Sequence, residues 1–361
     1  MLRANGMLRL SNVSLADQKL LRLSYKASEE YCPEKNYKCN EDYHYRTISG
    51  VCNNLYIPWW GKAFTPYGRI LKHEYDDGYN SPRTRSVSGG YLPNPRQIAI
   101  DIHHSRRTHP ETSHFLIFFH QFVNHDLIQT AKVRDNYGDE LSCGQRCYND
   151  DPDCYNIPIP QGDYVNHDQD CIHFSRSAAS VYDCNLSHRE QLNEVTSWLD
   201  MSQIYGSNER LAKELRTHEN GYLKTSTNPI DGYPTLPVTD DCLPMMKDNL
   251  CYLSGDKRNN QNRYISMISK LAVTEHNRIA RVLYDLNPHW DDEYLYQEAR
   301  NINIAQYQHV IYWDMLPLLL GSHAMKKWDL IASKYDYFTG YDQHIDPAIK
   351  NAFVLASMKT K

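Results

Sequence analysis

The chain has 361 residues, enough for one large domain or two ordinary ones with a sizeable core. Its 41% hydrophobic and 23% charged content excludes an intrinsically disordered protein. The net charge is −5 with both signs intermixed, which argues against a nucleic-acid partner and against a polybasic membrane anchor. No apolar run approaches the roughly 20 residues that a transmembrane helix needs. We therefore expect a folded globular protein without a transmembrane segment.

The predicted elements follow one another from an irregular beginning to a helical end. Residues 1–40 have no convincing apolar period and predict a loosely attached arm, so the folded domain spans residues 41–361. Turn residues alternate with short apolar pieces over residues 45–131, with a short strand expected near residues 98–102. A Cys-, Pro- and Gly-rich loop covers residues 136–171. Periodic apolar patterns predict helices over residues 115–128, 192–205, 209–216, 264–286 and 291–320, the last interrupted at Pro317. The predicted fold class is mainly α, with long ordered loops held by disulfides.

The ten cysteines indicate an oxidising compartment. Cys143, Cys147 and Cys154 lie among Gly, Asn, Asp and Pro, which is typical of a disulfide-stapled loop. A zinc site is the alternative, but the spacing is not that of a CxxC pair. Sequons at Asn12 and Asn185 agree with secretion and glycosylation, whereas the N-terminus has no continuous apolar segment of a signal peptide. We expect a secreted protein whose sequence is incomplete.

The helix predicted over residues 115–128 contains the first candidate site. Gln121 and His125 are four residues apart and share one face of this phenylalanine-rich helix. A histidine in such a helix needs a hydrogen-bond partner or a functional pocket, and a satisfied core histidine is the alternative. The same Val-Asn-His-Asp tetrapeptide recurs around His167 in a polar loop, where solvation is expected. The environment of His125, rather than the tetrapeptide, therefore makes it a candidate.

A second candidate is an oxygen-rich segment. Thr196, Asp200 and Ser202, with the carbonyl of Trp198, present oxygen atoms at alternate positions. Alternate residues of an extended segment face one side, so this segment could surround a hard cation such as Ca²⁺. A surface turn that caps a helix is an equally good interpretation of the pattern.

Motifs along most of the chain resemble, in order, those of the animal haem peroxidase family. The matching segments are Tyr-Arg-Thr-Ile-Ser-Gly-Val-Cys-Asn-Asn (45–54), Asp-Asp-Gly (76–78), Gln-Phe-Val-Asn-His-Asp (121–126), Arg-Glu-Gln-Leu-Asn (189–193), Thr-Ser-Trp-Leu-Asp-Met-Ser (196–202), Tyr-Gly-Ser (205–207), Gly-Asp-Lys-Arg (255–258), Glu-His-Asn-Arg (275–278), Leu-Asn-Pro (286–288), Tyr-Gln-Glu-Ala-Arg (296–300) and Leu-Pro-Leu-Leu-Leu-Gly (316–321). The resemblance implies the N-terminal portion of a haem peroxidase domain, with the distal side of the haem and a calcium loop.

The resemblance also implies roles for individual residues. His125 matches the distal histidine, which acts on peroxide as general base and then general acid. Arg258 matches the distal arginine, a fixed cation that stabilises developing charge. Gln121 matches the glutamine that orients the distal water. The calcium ligands implied by the match are Asp126, Thr196, Trp198, Asp200 and Ser202. Such an ion would be tied to the distal helix and should hold His125 in place.

The family further suggests four disulfide pairs: Cys39–Cys52, Cys143–Cys154, Cys147–Cys171 and Cys242–Cys251. Cys32 and Cys184 stay unassigned.

Three positions depart from the family in the residues that can bind haem covalently. Mammalian members form haem esters through an Asp and a Glu, which are matched here by Asn124 and Gln261. The position of the methionine that forms a sulfonium link in myeloperoxidase is matched by Asn262. Neither amide can form an ester, so we expect haem b held without a covalent bond.

The end of the sequence departs as well. Asp346-Pro347 and Asn351-Ala352-Phe353 match the approach to the proximal histidine that ligates the iron, but the ligand position falls on Lys361. We therefore expect the chain as given to be inactive unless it is completed.

Among the other histidines, we expect His276 to make a helix-packing hydrogen bond and His309 to be structural. His103, His104, His109 and His114 are expected in a solvated loop rather than at a metal site.

The resemblance implies a secreted haem-dependent peroxidase that oxidises donors with hydrogen peroxide, a reaction that belongs to the response to oxidative stress. The expected partners are hydrogen peroxide and a small reducing substrate, tyrosine or a halide. The alternative is a non-catalytic, peroxidase-like protein that serves in adhesion, in matrix or in binding.

Overall fold

The structure is a computed structural model that describes residues 37–102, 113–135, 137–144, 146–148, 150–166, 168–182, 185–227, 232–240, 251–333, 335–336 and 338–356. Most of the predicted arm lies outside these ranges. The other residues singled out above that lie outside them are Asn12, Cys32, His103, His104, His109, His167, Cys184, Cys242 and Lys361.

Helices dominate the described part of the chain. The α-helices are α1 Pro95–Ile102, α2 His114–Leu127, α3 Ser202–Tyr205, α4 Glu209–Glu214, α5 Arg263–Leu286, α6 Asp292–Val310, α7 Leu316–Lys327 and α8 Asn351–Ala356. A 3-10 helix covers Lys257–Gln261 and a π-helical turn covers Ile311–Met315. No helix within the described ranges is both long enough and apolar enough to cross a membrane.

The strands are short and antiparallel. They are β1 Thr65–Pro66, β2 Ile157–Pro158, β3 Cys171–Ile172, β4 Ala179–Tyr182, β5 Asn185–Asn193, β6 Ser226–Thr227, β7 Pro234–Thr235, β8 Val238–Thr239 and β9 Cys251–Tyr252. One sheet has the order β1-β5-β4, with Thr65 opposite Asn193 and Ala179 opposite Gln191. Each of the remaining strands pairs in a two-stranded ladder.

The main hydrophobic core lies where α2, α3, α5 and α6 meet. Phe122 of α2 packs edge-on against Tyr307 of α6, with ring centroids 6.0 Å apart. Ile204 of α3 and Ile265 of α5 are buried in the same cluster. Burying aromatic and branched side chains of this size removes enough apolar surface to fix the relative positions of the four helices. The core thus fixes the C-terminal end of α2, where the candidate site lies.

Four of the predicted helices are confirmed, with small shifts at their ends. Residues 115–128 form α2, residues 209–216 form α4, residues 264–286 form α5, and residues 291–320 form α6, the π-helical turn and the beginning of α7. Pro317 cannot donate a backbone hydrogen bond, and the helix widens into the π-helical turn directly before it. Gly321, with φ at 73°, breaks α7 one residue after the predicted end. Phe115 is exposed, so α2 is not buried along its whole length.

Two predicted elements are wrong. Residues 98–102 belong to a helix because the side chain of Asn94 caps it, accepting from the N–H of Arg96 at 2.7 Å, and Pro95 occupies the first turn. Residues 192–205 are not one helix: Leu192 and Asn193 end β5, and α3 begins at Ser202. The pairing of β5 with β1 and β4 overrides the helical pattern of the sequence.

Three of the implied disulfides are confirmed within the described residues: Cys39–Cys52, Cys143–Cys154 and Cys147–Cys171. Cys251 is also disulfide-bonded, while its expected partner Cys242 lies outside those residues. The mainly helical fold with long stapled loops is therefore confirmed.

Candidate functional site

The site begins with α2, which positions His125 at its C-terminal end. The hydroxyl of Ser113 caps the helix by accepting from the N–H of Leu116 at 3.4 Å. Phe118 stacks on Tyr264 of α5 with ring centroids 4.2 Å apart, which holds α2 against α5. His125 is buried two positions before the end of the helix.

Arg258 joins this end of α2. Its Nη1 donates to the carbonyl oxygen of Ile128 at 2.7 Å, and its Nη2 donates to the carbonyl oxygen of His125 at 3.1 Å. The last carbonyls of a helix lack intrahelical partners, so the guanidinium satisfies two of them and carries its charge where the helix dipole is negative. The structure thus brings together the two residues that the sequence places 133 positions apart.

Asp256 fixes the direction of the guanidinium. Its carboxylate accepts from Nε of Arg258 at 2.9 and 3.0 Å, and it also accepts from the backbone N–H of Arg258 at 2.8 Å. Burial alone would raise the pKa of the Asp256 carboxyl, but the charge and hydrogen bonds of Arg258, together with His125, hold that pKa below its ordinary value. Asp256 is therefore ionised and keeps Arg258 in one orientation.

Three amide side chains extend the site along α2. Nε2 of Gln121 donates to Oε1 of Gln261 at 3.0 Å, and Nδ2 of Asn262 donates to Oε1 of Gln121 at 3.3 Å. Oδ1 of Asn262 also caps α5 by accepting from the N–H of Ile265 at 2.9 Å. Gln261 and Asn262, two of the three positions that the resemblance implies near haem, thus form one hydrogen-bonded network with Gln121. Asn124, directly before His125, is half-buried.

The oxygen-rich segment contacts the same helix end through Asp126. Ser202 donates its backbone N–H to Oδ1 of Asp126 at 2.7 Å and its hydroxyl to the same oxygen at 2.8 Å. Thr196 donates its hydroxyl to Oδ2 of Asp200 at 2.8 Å. All four of these residues are buried. The predicted cation-binding side chains therefore do come together.

Trp198 is held in place by a close contact with Gly61. A Cβ added to Gly61 would lie 2.5 Å from the indole Nε1 of Trp198, so no larger residue fits at position 61 without displacing the ring. Gly61 also has φ at +75°, which glycine adopts readily. Its carbonyl oxygen accepts from the N–H of Ser197 at 3.0 Å, so this contact fixes the backbone from which Trp198 would offer its carbonyl.

The electrostatics of this second cluster differ from those around Arg258. Burial and the nearby charge of Asp200 raise the pKa of the Asp126 carboxyl well above its ordinary value. Burial also raises the pKa of the Asp200 carboxyl, and the charges of Arg300 and Arg46 only partly offset it. Two buried carboxyl groups with adjacent hydroxyl groups form a donor set that a hard divalent cation such as Ca²⁺ accepts.

The resemblance assigned a role to Arg258 but none to the residues directly before it, which connect the two halves of the site. A Cβ on Gly255 would lie 2.4 Å from both the backbone N of Gly206 and the carbonyl O of Ser202. The hydroxyl of Ser254 donates to the carbonyl of Gln203 at 2.7 Å. The signal was the Gly-Asp pair before Lys257-Arg258, whose glycine permits this approach and whose aspartate orients the arginine.

The remaining histidines have simpler environments. His276 contacts the hydroxyl of Tyr205 through Nδ1 at 3.1 Å and the carbonyl of Gly221 through Nε2 at 2.9 Å, which confirms the predicted packing role. His309 is exposed and stacks on Trp313. His114 is exposed as expected, but it is the first residue of α2 and not part of a loop.

Comparison with known proteins shows the class to which the fold and the site belong. The animal haem peroxidase family model matches residues 45–361. The "Peroxidasin homolog" of Mus musculus is 34% identical over 339 residues, which cover 87% of this chain and 22% of that protein. The "Chorion peroxidase" of Aedes aegypti is 36% identical over 329 residues, which cover 86% of this chain and 41% of that protein. The chain therefore belongs to the animal haem peroxidase family, and it spans less than half the length of these two relatives.

Solved structures agree on the fold. Peroxidase A from Dictyostelium discoideum superposes with a TM-score of 0.65 at 22% identity, covering 87% of this chain and 58% of that chain. A fatty acid alpha-dioxygenase from Arabidopsis thaliana gives a TM-score of 0.66 at 17% identity, covering 94% of this chain and 52% of that chain. These structures thus confirm the fold that the motifs predicted.

Proposed function

We propose that this chain is the distal half of a haem peroxidase domain that oxidises donor substrates with hydrogen peroxide. The observation that carries the proposal is the anchoring of the Arg258 guanidinium to the carbonyl oxygen of His125, at the buried end of α2. Acid–base cleavage of a peroxide requires a general acid–base group and a fixed cation near it, and this contact anchors the guanidinium at the helix end that carries the buried imidazole.

Each distal residue has a distinct task in this proposal. The imidazole of His125 takes a proton from peroxide and returns it to the departing oxygen. The guanidinium of Arg258, oriented by Asp256, stabilises the negative charge that develops on the oxygen atoms. The amide of Gln121 orients water at the same face. Haem iron supplies the redox chemistry when it is bound.

The amide network fits a haem that is held without a covalent bond. Asn124, Gln261 and Asn262 occupy the positions from which a family member could link to haem, and an amide side chain forms no ester with it. Gln261 and Asn262 are already hydrogen-bonded to Gln121, so they would contact haem b by packing and hydrogen bonds. The position that matches the proximal iron ligand falls on Lys361, which lies outside the described residues.

The buried carboxyl pair supports a structural Ca²⁺ ion as a second ligand of the chain. Asp126, Thr196, Asp200 and Ser202 would supply side-chain oxygens, and Trp198 would supply its carbonyl. Asp126 directly follows His125, so the ion would restrain the helix end that carries the distal imidazole.

A small reducing substrate, tyrosine or a halide would be the donor of electrons to the peroxidase. The disulfides support a secreted location.

Reconstitution with haem tests the proposal on a chain that also carries the proximal ligand, because the position that matches this ligand falls on Lys361. That chain is refolded with haem b and Ca²⁺, its Soret band is recorded, and its reaction with hydrogen peroxide is followed by stopped flow. His125→Ala should retain the Soret band and slow the reaction by at least about 100-fold, the usual contribution of a general acid–base group.

The second Val-Asn-His-Asp tetrapeptide provides the matched control. His167→Ala removes the same side chain from the same local sequence and should leave the rate unchanged. An absent Soret band, or an unchanged rate in His125→Ala, would contradict the proposal and favour a non-catalytic, peroxidase-like binding protein instead.

A further inference from the structure

A group of two histidines and a glutamate lies outside the distal site and the oxygen-rich cluster. His188 and Glu190 are alternate residues of β5, so both side chains project from the same side of the strand. Nε2 of His188 lies 2.7 Å from Oε1 of Glu190. His73, in the loop after β1, stacks on His188 with ring centroids 3.6 Å apart and planes 13° apart. The fold thus brings His73, a loop residue, against His188 and Glu190 of β5.

We propose that His73, His188 and Glu190 form a binding site for a borderline transition-metal ion of the Zn²⁺ type. One nitrogen from each imidazole and one oxygen from the carboxylate all lie within 4.8 Å of one another. Two imidazoles and one carboxylate are a known ligand set for zinc, with a fourth position open to water. Ca²⁺ and Mg²⁺ prefer sites built from oxygen ligands alone, so the nitrogen ligands select against them.

Glu190 is held in position for this role by Arg69. Nε of Arg69 lies 2.7 Å from Oε1 and 2.6 Å from Oε2 of Glu190, and its Nη2 donates to the carbonyl of Arg189 at 3.3 Å. Glu190 is buried, so its carboxylate has little freedom to move. Residues that orient a ligand in this way preserve metal affinity. Arg69 also neutralises Glu190, so the two imidazoles must supply most of the affinity, and we expect weaker binding than at a structural zinc site.

Zn²⁺ binding requires one of the two stacked imidazole rings to move. The lone pair of an imidazole nitrogen lies in the ring plane, and the two rings are nearly parallel, so both lone pairs cannot meet at one ion while the rings stay stacked. His188 is fixed by its place in β5 and by its contact with Glu190. His73 lies on a loop and is only half-buried, so it is the ring that must rotate. The metal would then replace the proton shared between His188 and Glu190.

Calorimetry with Zn²⁺ alone tests the site on the full chain. ZnCl₂ is titrated into metal-free protein in a buffer with excess Ca²⁺, which keeps the oxygen-rich cluster occupied. His73→Gln and His188→Gln should each weaken the tightest Zn²⁺ binding by at least about tenfold, because even changes beyond the direct ligands cost 10- to 100-fold. His289→Gln, which removes an exposed histidine after α5, should leave the isotherm unchanged.

A second measurement separates ligand loss from misfolding. Co²⁺ replaces Zn²⁺, and the visible absorption of a tetrahedral Co²⁺ site should form with wild type and with His289→Gln but not with His188→Gln. Circular dichroism must show that the variants remain folded, and His73→Gln is the less disruptive of the two because its loop is exposed to solvent. Zn²⁺ isotherms that are identical in wild type, His73→Gln and His188→Gln would overturn the proposal.

Discussion

The carboxyl groups of Asp126 and Asp200 are joined through Ser202, whose backbone N–H lies 2.7 Å from Oδ1 of Asp126 and 3.1 Å from Oδ1 of Asp200. Both carboxyl groups are buried, and burial together with the charge of Asp200 raises the pKa of Asp126. Burying two such groups together is unfavourable unless a proton or a cation compensates for their charge. The pair therefore makes the fold sensitive to a cation.

Calcium should stabilise the chain through this pair. The thermal midpoint of unfolding should be higher in Ca²⁺ than in EGTA, since a ligand at 100 times its Kd contributes about 2.7 kcal/mol. Asp126→Asn should abolish the difference because it removes one carboxylate ligand. Asp314→Asn changes an exposed aspartate and should preserve it. Identical midpoints in Ca²⁺ and EGTA for wild type would show that no stabilising ion binds there.

The pair formed by Asp256 and Arg258 should contribute measurably to stability. A double-mutant cycle with Asp256→Asn and Arg258→Gln, measured by urea unfolding, should give a coupling of about 1–3 kcal/mol. Asparagine still caps the 3-10 helix, so the cycle reports the charged contact rather than the cap. The exposed pair of Lys132 and Glu140 is the control and should give less than about 1 kcal/mol. Equal couplings for the two pairs would contradict the orienting role of Asp256.

Gly255 should tolerate no side chain. Gly255→Ala places a Cβ 2.4 Å from backbone atoms of Ser202 and Gly206, and overpacking of this kind costs about 1–3 kcal/mol or more. Gly90→Ala is the matched control because the nearest atom to its Cβ is Oγ of Ser86 at 3.7 Å. Chemical denaturation of both variants measures the difference. Equal stability of the two variants would mean that the segment before Arg258 is not packed against α3.

Stability should fall in mild acid because of His276. Burial lowers the pKa of this imidazole to about 4, while the unfolded chain titrates near 6.5. Between these values the unfolded state binds more protons, so the free energy of unfolding should decrease as the pH falls from about 6.5 to about 4, by up to roughly 3 kcal/mol. His276→Gln should be less stable at neutral pH but should lose this part of the pH dependence. A wild-type profile that is superimposable on that of His276→Gln would rule out this contribution.

Local sequence signals were sufficient for the long elements of the fold. The apolar period of residues 264–286 matches α5, and the phenylalanines of residues 115–128 match α2. The sequence did not reveal which distant segments pair as β-strands. Residues 192–193 end a strand because Phe64 donates its backbone N–H to the carbonyl of Asn193 at 2.8 Å, a partner 129 positions away. Local periodicity carries no information about such a partner.

For the candidate site, too, the sequence predicted the residues but not the contacts between them. Family motifs predicted His125, Arg258 and Asp126 as site residues, and the structure brings these residues to one end of α2. The sequence did not show that Arg258 would bind backbone carbonyls rather than remain free, or that Asp256 would orient it. These contacts depend on the path of the chain between α3 and α5, which motifs alone do not define.

His125 and Asp126 are consecutive residues on one helix, and the proposed function assigns them to two different clusters. Adjacent positions on an α-helix point about 100° apart, so the two side chains leave the helix in different directions. A deletion or insertion in α2 upstream of this pair would rotate both groups together and disrupt both clusters at once. Evolution can therefore alter the spacing within this helix only if both clusters are rebuilt in the same step.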